Sequence, residues 1–340
     1  MVDLLSSVSE FRSTFFPSHE GPVAQWIEHR PPEPGVARSN RARVIDLRRG
    51  RCSRRFFWGL MTQDPTNPPE QIPFAPANTW VIGDVHGCHD TLMELLRRID
   101  DRHPNAHLTF IGDLVGKGPD SLGVIRFMLE NTQRVSVTLG NHDLHLLACR
   151  KGISTPRPSD RTEALLNLAQ GHPWETWLSQ QPFALDLQPE QPGSHPWRLI
   201  HAGVHPAWSE SETRERLEQL HTHSRSNTWD WYKDDHSRAW QTASILTRIR
   251  CLNIRTSKPH GEYTGPPDEA PEDLAPWYTL LKPENHQRTY LFGHWARLGW
   301  HRHANALCLD SGCVYGGKLT AFQPISGETI RQENCESPTE

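Results

Sequence analysis

Side chains that can bind metal ions recur where short apolar runs of this chain end. The run TWVI stops at Gly83 and is followed by Asp84 and His86. Later runs end in the same way, at Asp113, at Asn141 with His142, at His201 and at His294. Carboxylate, amide and imidazole ligands together suit manganese, iron, cobalt, nickel or zinc better than calcium or an all-oxygen magnesium site. The spacing therefore predicts a transition-metal site.

Amphipathic helical patterns separate the first three of these runs. Residues 90–100 place four aliphatic side chains on one face, and residues 120–130 form a second apolar stripe. Strand, helix, strand, helix, strand predicts a βαβαβ unit with parallel strands. Ligands collect at the carboxyl ends of such strands. The polar side chains thus occupy the positions at which a binding site is expected.

Asp113 is central in this order and has two oxygens with which to bridge two ions. Two ions roughly 3.5–4 Å apart can activate water and hold both oxygens of an in-line displacement at phosphorus. Two divalent ions, two aspartates and one hydroxide leave about one positive charge, which favours a polyanionic substrate. Taken singly, Asp-x-His also fits a turn, GNHD a helix cap and His201 a core histidine. Their joint order favours metal binding.

Composition limits the class of protein. The chain has 340 residues, 36% of them hydrophobic, which is enough for one sizeable core. No apolar run approaches the roughly 20 residues that a membrane span needs, and the opening MVDLLSSVSEF lacks a secretory pattern. The seven cysteines form no CxxC pair, as is typical of reduced thiols. We predict a cytoplasmic protein with no membrane partner.

Residues 1–60 differ from the rest of the chain. They contain ten arginines, no lysine and six acidic residues, whereas the remaining 280 residues contain 26 basic and 34 acidic ones. Residues 21–45 cluster proline, glycine and arginine without an apolar period, which fits a disordered basic arm or a nucleic-acid contact. This stretch also resembles peptides that arise when a transfer-RNA gene is translated out of context. We predict that residues 1–60 are a spurious or disordered extension and that residues 61–76 are a linker.

Five motifs, GDVHG, GDLVGKGPDS, GNHD, HAG and GH, together resemble the signature of the calcineurin-like metallophosphoesterases. GDLVGKGPDSL, LGNHDLHLLA, FGHWA and LDSGCVYGGKLTAF further resemble the bacterial symmetrical dinucleoside tetraphosphatase branch. The resemblance covers residues 77–333 and implies an α/β four-layer sandwich, with two mixed β-sheets flanked by helices. It includes a helical and loop cap at about 206–285, and residues 334–340 are expected to fray.

The resemblance also implies roles for individual residues. One ion is expected to be held by Asp84, His86 and Asp113. The other is expected to be held by Asp113, Asn141, His201 and His294. His142 becomes the acid that protonates the leaving group, and helices beginning after Gly87 and Asp143 could add backbone donors toward phosphate. The implied cofactors are two divalent ions, Mn2+ or Co2+ ahead of Fe, Ni or Zn.

Two positions depart from the family pattern. Lys117 stands where relatives usually carry arginine, and lysine binds phosphate as a point charge rather than bidentately. Gly116 stands where related protein phosphatases carry the aspartate that partners the catalytic histidine, so His142 needs another partner or relies on the field of the bound metals alone. We still predict a catalytic role for Lys117, together with Asp113 and His142.

The region between His201 and His294 is rich in tryptophan and then in proline, which predicts a helical cap with a long loop. Arg248 and Arg250 are candidate phosphate-binding residues, although a solvated basic face explains the pair equally well. Tyr263 or Trp277 could stack on adenine, but core packing is the simpler explanation for either.

Three functions compete. The first is hydrolysis of diadenosine tetraphosphate to two ADP by a hydroxide that two metal ions activate, with 5′-capped RNA as a further substrate presenting the same bond. The second is a protein serine/threonine phosphatase, against which Gly116 and the FGHWA motif argue. The third is a catalytically silent nucleotide-binding module, against which the complete ligand set with His142 argues.

Overall fold

The computed structural model describes residues 72–188, 196–226 and 228–336. The predictions for residues 1–60, for most of the linker and for residues 337–340 lie outside the described residues. The elements of the first half are β1 (Phe74–Ala75), β2 (Thr79–Ile82), α1 (His89–Asp100), β3 (His107–Phe110), α2 (Ser121–Glu130), β4 (Val135–Val137), α3 (Asn141–Arg150), α4 (Glu163–Leu166), α5 (Pro173–Ser179) and β5 (Ala184–Leu187).

Among the described residues, the second half contains two α-helices and ten strands. These elements are β6 (Trp197–Ile200), α6 (Glu210–Arg225), α7 (Arg238–Arg248), β7 (Cys251–Asn253), β8 (Pro259–His260), β9 (Leu274–Pro276), β10 (Thr289–Phe292), β11 (His301–His303), β12 (Ala306–Cys308), β13 (Asp310–Ser311), β14 (Lys318–Phe322) and β15 (Thr329–Glu333). No helix in the described ranges has the length and hydropathy of a membrane span.

The predicted βαβαβ unit forms one sheet. β2, β3 and β4 are parallel and adjacent, and α1 and α2 connect them within a residue of the predicted helix bounds. β14 pairs antiparallel with β2, with Ala321 opposite Ile82, and also pairs with β13 and β15. The C-terminal strands therefore complete a sheet that the N-terminal strands begin.

A second mixed sheet has the order β1-β5-β6-β10-β12-β11. β6, β10 and β12 are parallel neighbours, so the chain leaves all three at the same edge. Alternate residues of the strands bury opposite faces. Val81, Phe322, Leu199 and Leu291 belong to one apolar cluster that joins the two sheets, whereas Trp80 packs in the larger cluster that includes the helices. This arrangement confirms the predicted sandwich of two mixed sheets with helices.

The segment between β6 and β10 contains α6, α7 and a small antiparallel sheet of order β8-β7-β9. The small sheet differs from the long loop expected for this proline-rich stretch. Pro259 and Pro276 lie on its two edge strands, where the missing N–H does not interrupt a central ladder. The helical part was predicted, and the strand pairing was not, because prolines masked the strand pattern.

Candidate metal and phosphate site

The loops that follow β2 and β3 are joined by backbone hydrogen bonds. The N–H groups of Val85 and His86 both donate to the Asp113 carbonyl, at 3.1 and 2.8 Å. The side chains of Asp84, His86 and Asp113 are all buried. The first metal-binding motifs predicted from the sequence therefore meet at the carboxyl edge of one sheet, as expected for parallel strands.

Four residues of this region have a left-handed backbone conformation that non-glycine residues rarely adopt. The φ angles are 51° at His86, 49° at Asp113, 65° at Lys117 and 66° at His294. Such conformations cost free energy and persist where the surrounding structure enforces them. The ligand-bearing turns are therefore fixed by the fold rather than chosen by local preference.

Two groups of potential ligands share Asp113. His86, Asp113 and His142 form the first group, and Asp113, His201 and His294 form the second, with the ligand atoms of each group within 4.8 Å of one another. Asp113 Oδ2 is 3.5 Å from His86 Nε2 and 3.4 Å from His201 Nε2. The Asp113 carboxylate is therefore common to both groups.

The remaining predicted ligands lie beside these groups. Asp84 Oδ2 is 3.9 Å from His86 Nε2, and Asn141 Oδ1 is 3.3 Å from His201 Nε2. Gly293 allows the close approach of Asp84, because a Cβ there would overlap Asp84 Oδ1. The structure thus brings all six predicted metal-binding residues together.

Backbone carbonyls orient three of the imidazoles. His201 Nδ1 donates to the Ile111 carbonyl at 2.8 Å and His86 Nδ1 to that of Val115 at 3.3 Å, which leaves each Nε2 facing Asp113. His294 uses Nε2 to reach the Arg248 carbonyl at 3.1 Å, so its Nδ1 is the nitrogen left for a ligand. Hydrogen bonds of this kind fix the tautomer of metal-binding histidines.

Helix α3 begins at Asn141, earlier than the start predicted after Asp143. The Asp143 carboxylate instead accepts from the N–H groups of Gly140 and Leu114, at 2.9 and 3.0 Å, and it is fully buried. The His142 N–H donates to Asp113 Oδ1 at 2.8 Å. The first turn of α3 therefore holds the central carboxylate in place, rather than standing free for phosphate.

Without bound cations, four buried carboxylates lie close together in this region. Burial, together with Asp310, holds the pKa of Asp84 well above its usual value. Burial raises the pKa of Asp143 to about 7 and that of Asp310 to about 6, and Asp113 adds to both shifts. Like charges in a low dielectric destabilise one another, and divalent cations remove that penalty. With histidine nitrogen and amide oxygen alongside, this donor set fits transition-metal ions.

Gly116 lies against His142. A Cβ at Gly116 would stand 2.8 Å from His142 Nδ1, so this is the place from which an aspartate could partner the ring. Burial lowers the pKa of His142, while the carboxylates of Asp113 and Asp160 oppose that shift. Asp160 is buried and accepts from His145 at 3.0 Å, and its backbone carbonyl accepts from the Lys117 N–H at 3.1 Å.

The three predicted cationic residues surround the ligands. Lys117 is close enough to His86 and His142 to lower the pKa of both, and Arg248 acts on His142 in the same direction. Arg250 donates to the His294 carbonyl at 3.2 Å, and its buried Nε has no hydrogen-bond partner among the described residues. A phosphate oxygen is the natural acceptor for such a group.

The two aromatic residues considered for stacking on adenine differ in burial. Trp277 is fully buried and packs edge-on against Tyr290 and Phe292, so core packing explains it. Tyr263 is half-buried, and its hydroxyl donates to the Pro266 carbonyl. Trp277 therefore has no exposed face on which a nucleobase could stack.

Sequence reasoning missed four residues of this region: Asp143, Asp160, Asp310 and Tyr315. Asp310 is the first residue of β13, separated from the end of β12 by one residue, and accepts from the Gly312 N–H at 3.0 Å. The signal that could have found it is its position, since it follows the apolar run ALCL in the way that Asp84 follows TWVI. Asp160 gives no such signal, because it reaches the site from a loop.

The family model of the calcineurin-like phosphoesterases matches residues 77–297, which include all six predicted metal-binding residues. Together with the sandwich and the two groups that share Asp113, this match defines the class. The chain belongs to the calcineurin-like phosphoesterase family.

Within that family, the chain is similar to proteins named symmetrical bis(5'-nucleosyl)-tetraphosphatase. It is 34% identical to the one from Enterobacter sp. (strain 638), over 72% of this chain and 91% of the relative. It is 33% identical to the one from Vibrio campbellii, over 75% of this chain and 98% of the relative. The crystal structure of a candidate diadenosine tetraphosphatase superposes with a TM-score of 0.55 at 26% identity, covering 78% of this chain and 99% of that one.

Proposed function

We propose that this chain hydrolyses diadenosine tetraphosphate symmetrically, giving two molecules of ADP. The observation that carries the proposal is a pair of potential metal-ligand groups that share Asp113 and have cationic side chains nearby, in a chain that matches over 90% of the length of relatives named for this reaction. A protein phosphatase would need a partner for the catalytic histidine from the position of Gly116, which offers none.

Asp84, His86 and Asp113 are the residues proposed to hold one divalent ion, and Asp113, Asn141, His201 and His294 the other. Mn2+ and Co2+ are the proposed ions. Bound there, two such ions supply a water-derived nucleophile at neutral pH and neutralise phosphate charge.

The chain's own residues do the rest. Lys117, Arg248 and Arg250 bind the non-bridging oxygens of the phosphate chain, whose charge grows in the transition state. His142 Nδ1 faces the Gly116 backbone, which leaves Nε2 to give its proton to the departing ADP. The carboxylates of Asp113 and Asp160 favour the protonated imidazole against burial.

Product analysis tests the activity. Purified full-length protein, first stripped of metal and then supplied with each ion of a panel, should convert diadenosine tetraphosphate to ADP alone. Hydrolysis in ¹⁸O-water should label one of the two ADP molecules, because attack at one inner phosphorus gives one hydrolysed half and one leaving half. AMP with ATP as products contradicts the proposal. Parallel assays on 5′-capped RNA and on a phosphoserine peptide measure the competing activities.

A cytoplasmic location remains part of the proposal. The six cysteines in the described residues are all free thiols, which supports a reducing compartment.

A further inference from the structure

Tyr315 is the most exposed large apolar side chain of the described residues, with 64% of its surface in contact with solvent. The next are Phe74 and Ile254, both 52% exposed. An exposed aromatic ring gains no burial energy from the fold. Packing within the chain therefore does not explain why an aromatic residue occupies this position.

The ring is exposed but its backbone is held firmly. Gly312 and Gly316 bracket the turn in left-handed conformations, with φ of 70° and 84°. The Gly312 N–H donates to Asp310 at 3.0 Å, and Asn334 Nδ2 donates to the Cys313 carbonyl at 2.6 Å. Because Asp310 is one of the buried carboxylates beside Asp84, this turn is tied directly to the metal-binding centre.

The Tyr315 hydroxyl contacts the proposed phosphate-binding lysine. Lys117 Nζ donates to this hydroxyl and lies 4.8 Å from the ring centroid. The Lys117 ammonium therefore contacts the hydroxyl end of this ring. Among the described residues no other aromatic ring stacks on Tyr315. The ring is thus largely exposed to solvent next to the place where the phosphates are expected.

We propose that Tyr315 is a substrate-binding residue whose ring stacks on one base of the dinucleoside polyphosphate. This inference rests on the proposed function. A base attached to a phosphate chain at Lys117 has an aromatic surface within reach, and stacking accepts any base because each has a π-face. Loss of one such stack weakens binding by roughly 5- to 150-fold.

The test compares Tyr315→Ala with Tyr315→Phe in the metal-loaded full chain. Tyr315→Ala should raise KM for diadenosine tetraphosphate by roughly 5- to 150-fold and leave the inhibition constant of inorganic tetraphosphate, which has no base, within about threefold. Tyr315→Phe keeps the ring and should keep KM close to wild type. Phe74→Ala, an exposed aromatic on the edge strand β1, is the matched control and should change neither constant.

Calorimetric titration with a methylene-bridged, non-hydrolysable analogue gives the same comparison without turnover, and equal melting temperatures exclude misfolding. If Tyr315→Ala weakens inorganic tetraphosphate as much as the dinucleoside, the ring serves only Lys117 and the stacking role is wrong. Unchanged constants for both also overturn it, and would make the ring a contact for another macromolecule. Failure of the proposed function is a separate result, since wild-type protein would then not cleave diadenosine tetraphosphate at all.

Discussion

The two ligand groups that share Asp113 are assembled in different ways. The first takes His86, Asp113 and His142 from one sheet and from fewer than 60 consecutive residues. The second adds His201 and His294, which follow two parallel strands of the other sheet and are separated by α6, α7 and the small sheet. The first group is therefore specified by local topology, whereas the second exists only once the two sheets have packed.

The electrostatic environments of the two ligand groups also differ. Burial lowers the pKa of His86 to about 3, whereas Asp113 and Asp84 outweigh burial at His201 and raise its pKa to about 9. Lys117 contributes to the lowered pKa of His86 in the first group. In the second group, Arg250 is the charged residue that contributes most to the lowered pKa of His294. Two groups of similar composition thus present different fields to a phosphate chain, and variants in each should have different effects.

The largest effect is expected at the residue that both groups share. Asp113→Asn should remove both ions and lower kcat by on the order of 10³-fold or more, above the loss usual for one electrostatic group. The test measures the metal content of each variant by elemental analysis, together with its kcat. Its control is His294→Ala, which should weaken the second ion first and leave the first bound. One ion per wild-type chain at full activity would show that the two groups do not act together.

A variant of His142 shows whether this member of the first group binds metal or acts as an acid. His142→Ala should lower kcat roughly 10²–10⁴-fold, the usual loss for a positioned acid, with metal content unchanged. The loss should shrink on p-nitrophenyl phosphate, whose leaving group needs no proton. Equal losses on both substrates would rule out the acid role, and a fall in bound metal would make His142 a ligand.

Lys117 tests the field beside the first group. Lys117→Ala should lower kcat/KM by on the order of 10²–10³-fold, while Lys117→Arg should retain most of it because the charge is kept. Arg250→Ala is the matched change beside the second group. If Lys117→Ala and Arg250→Ala lower kcat/KM equally and Lys117→Arg restores none of the loss, the electrostatic environments of the two ligand groups do not differ.

The smallest effect concerns stability without metal. The folded pKa of His201, about 9, exceeds its unfolded value of 6.5, so the folded state binds more protons between pH 7 and 9. The free energy of unfolding of chelated protein should therefore fall by on the order of 2 kcal/mol as pH rises through this window. His86 adds nothing there, because it is neutral in both states above pH 7.

Denaturant titrations at several pH values measure this slope. Metal-loaded protein should show a flatter profile, because an ion on His201 Nε2 displaces the proton, and His201→Gln should flatten the profile of the chelated protein. An identical slope with and without metal would mean that His201 does not face the ions.

Much of this molecule was predictable because strand ends and motifs coincide. The helices at 89–100 and 121–130 and the parallel order of β2, β3 and β4 follow from periodicity and connection length alone. The meeting of His201 and His294 with Asp113 follows only from the family resemblance, since nothing in local sequence says how two sheets pack.

The parts that were not predicted depend on long-range pairing. Asp160 reaches Lys117 and His145 from a loop whose sequence, RPSDR, reads as solvent-exposed, and burial became evident only in three dimensions. The start of α3 at Asn141 was missed because Asp143, a typical cap, bonds backward to Gly140 from inside the helix. Tyr315 carried no periodic signal, since it stands between glycines in a turn.

The pairing of β14 with β2 has a consequence for synthesis of the protein. Ala321 lies opposite Ile82, and the Gly83 N–H donates to the Thr320 carbonyl at 3.0 Å, just before Asp84. The ribosome releases the first ligands about 240 residues before the strand that flanks them, and domains complete their folding only when such partners emerge. A chain cut short before Lys318 would retain every proposed ligand and the parallel neighbour β3, but it would lack β14, the antiparallel neighbour of β2. We therefore expect the proposed metal-binding residues to take up their final arrangement only after β14 has been translated.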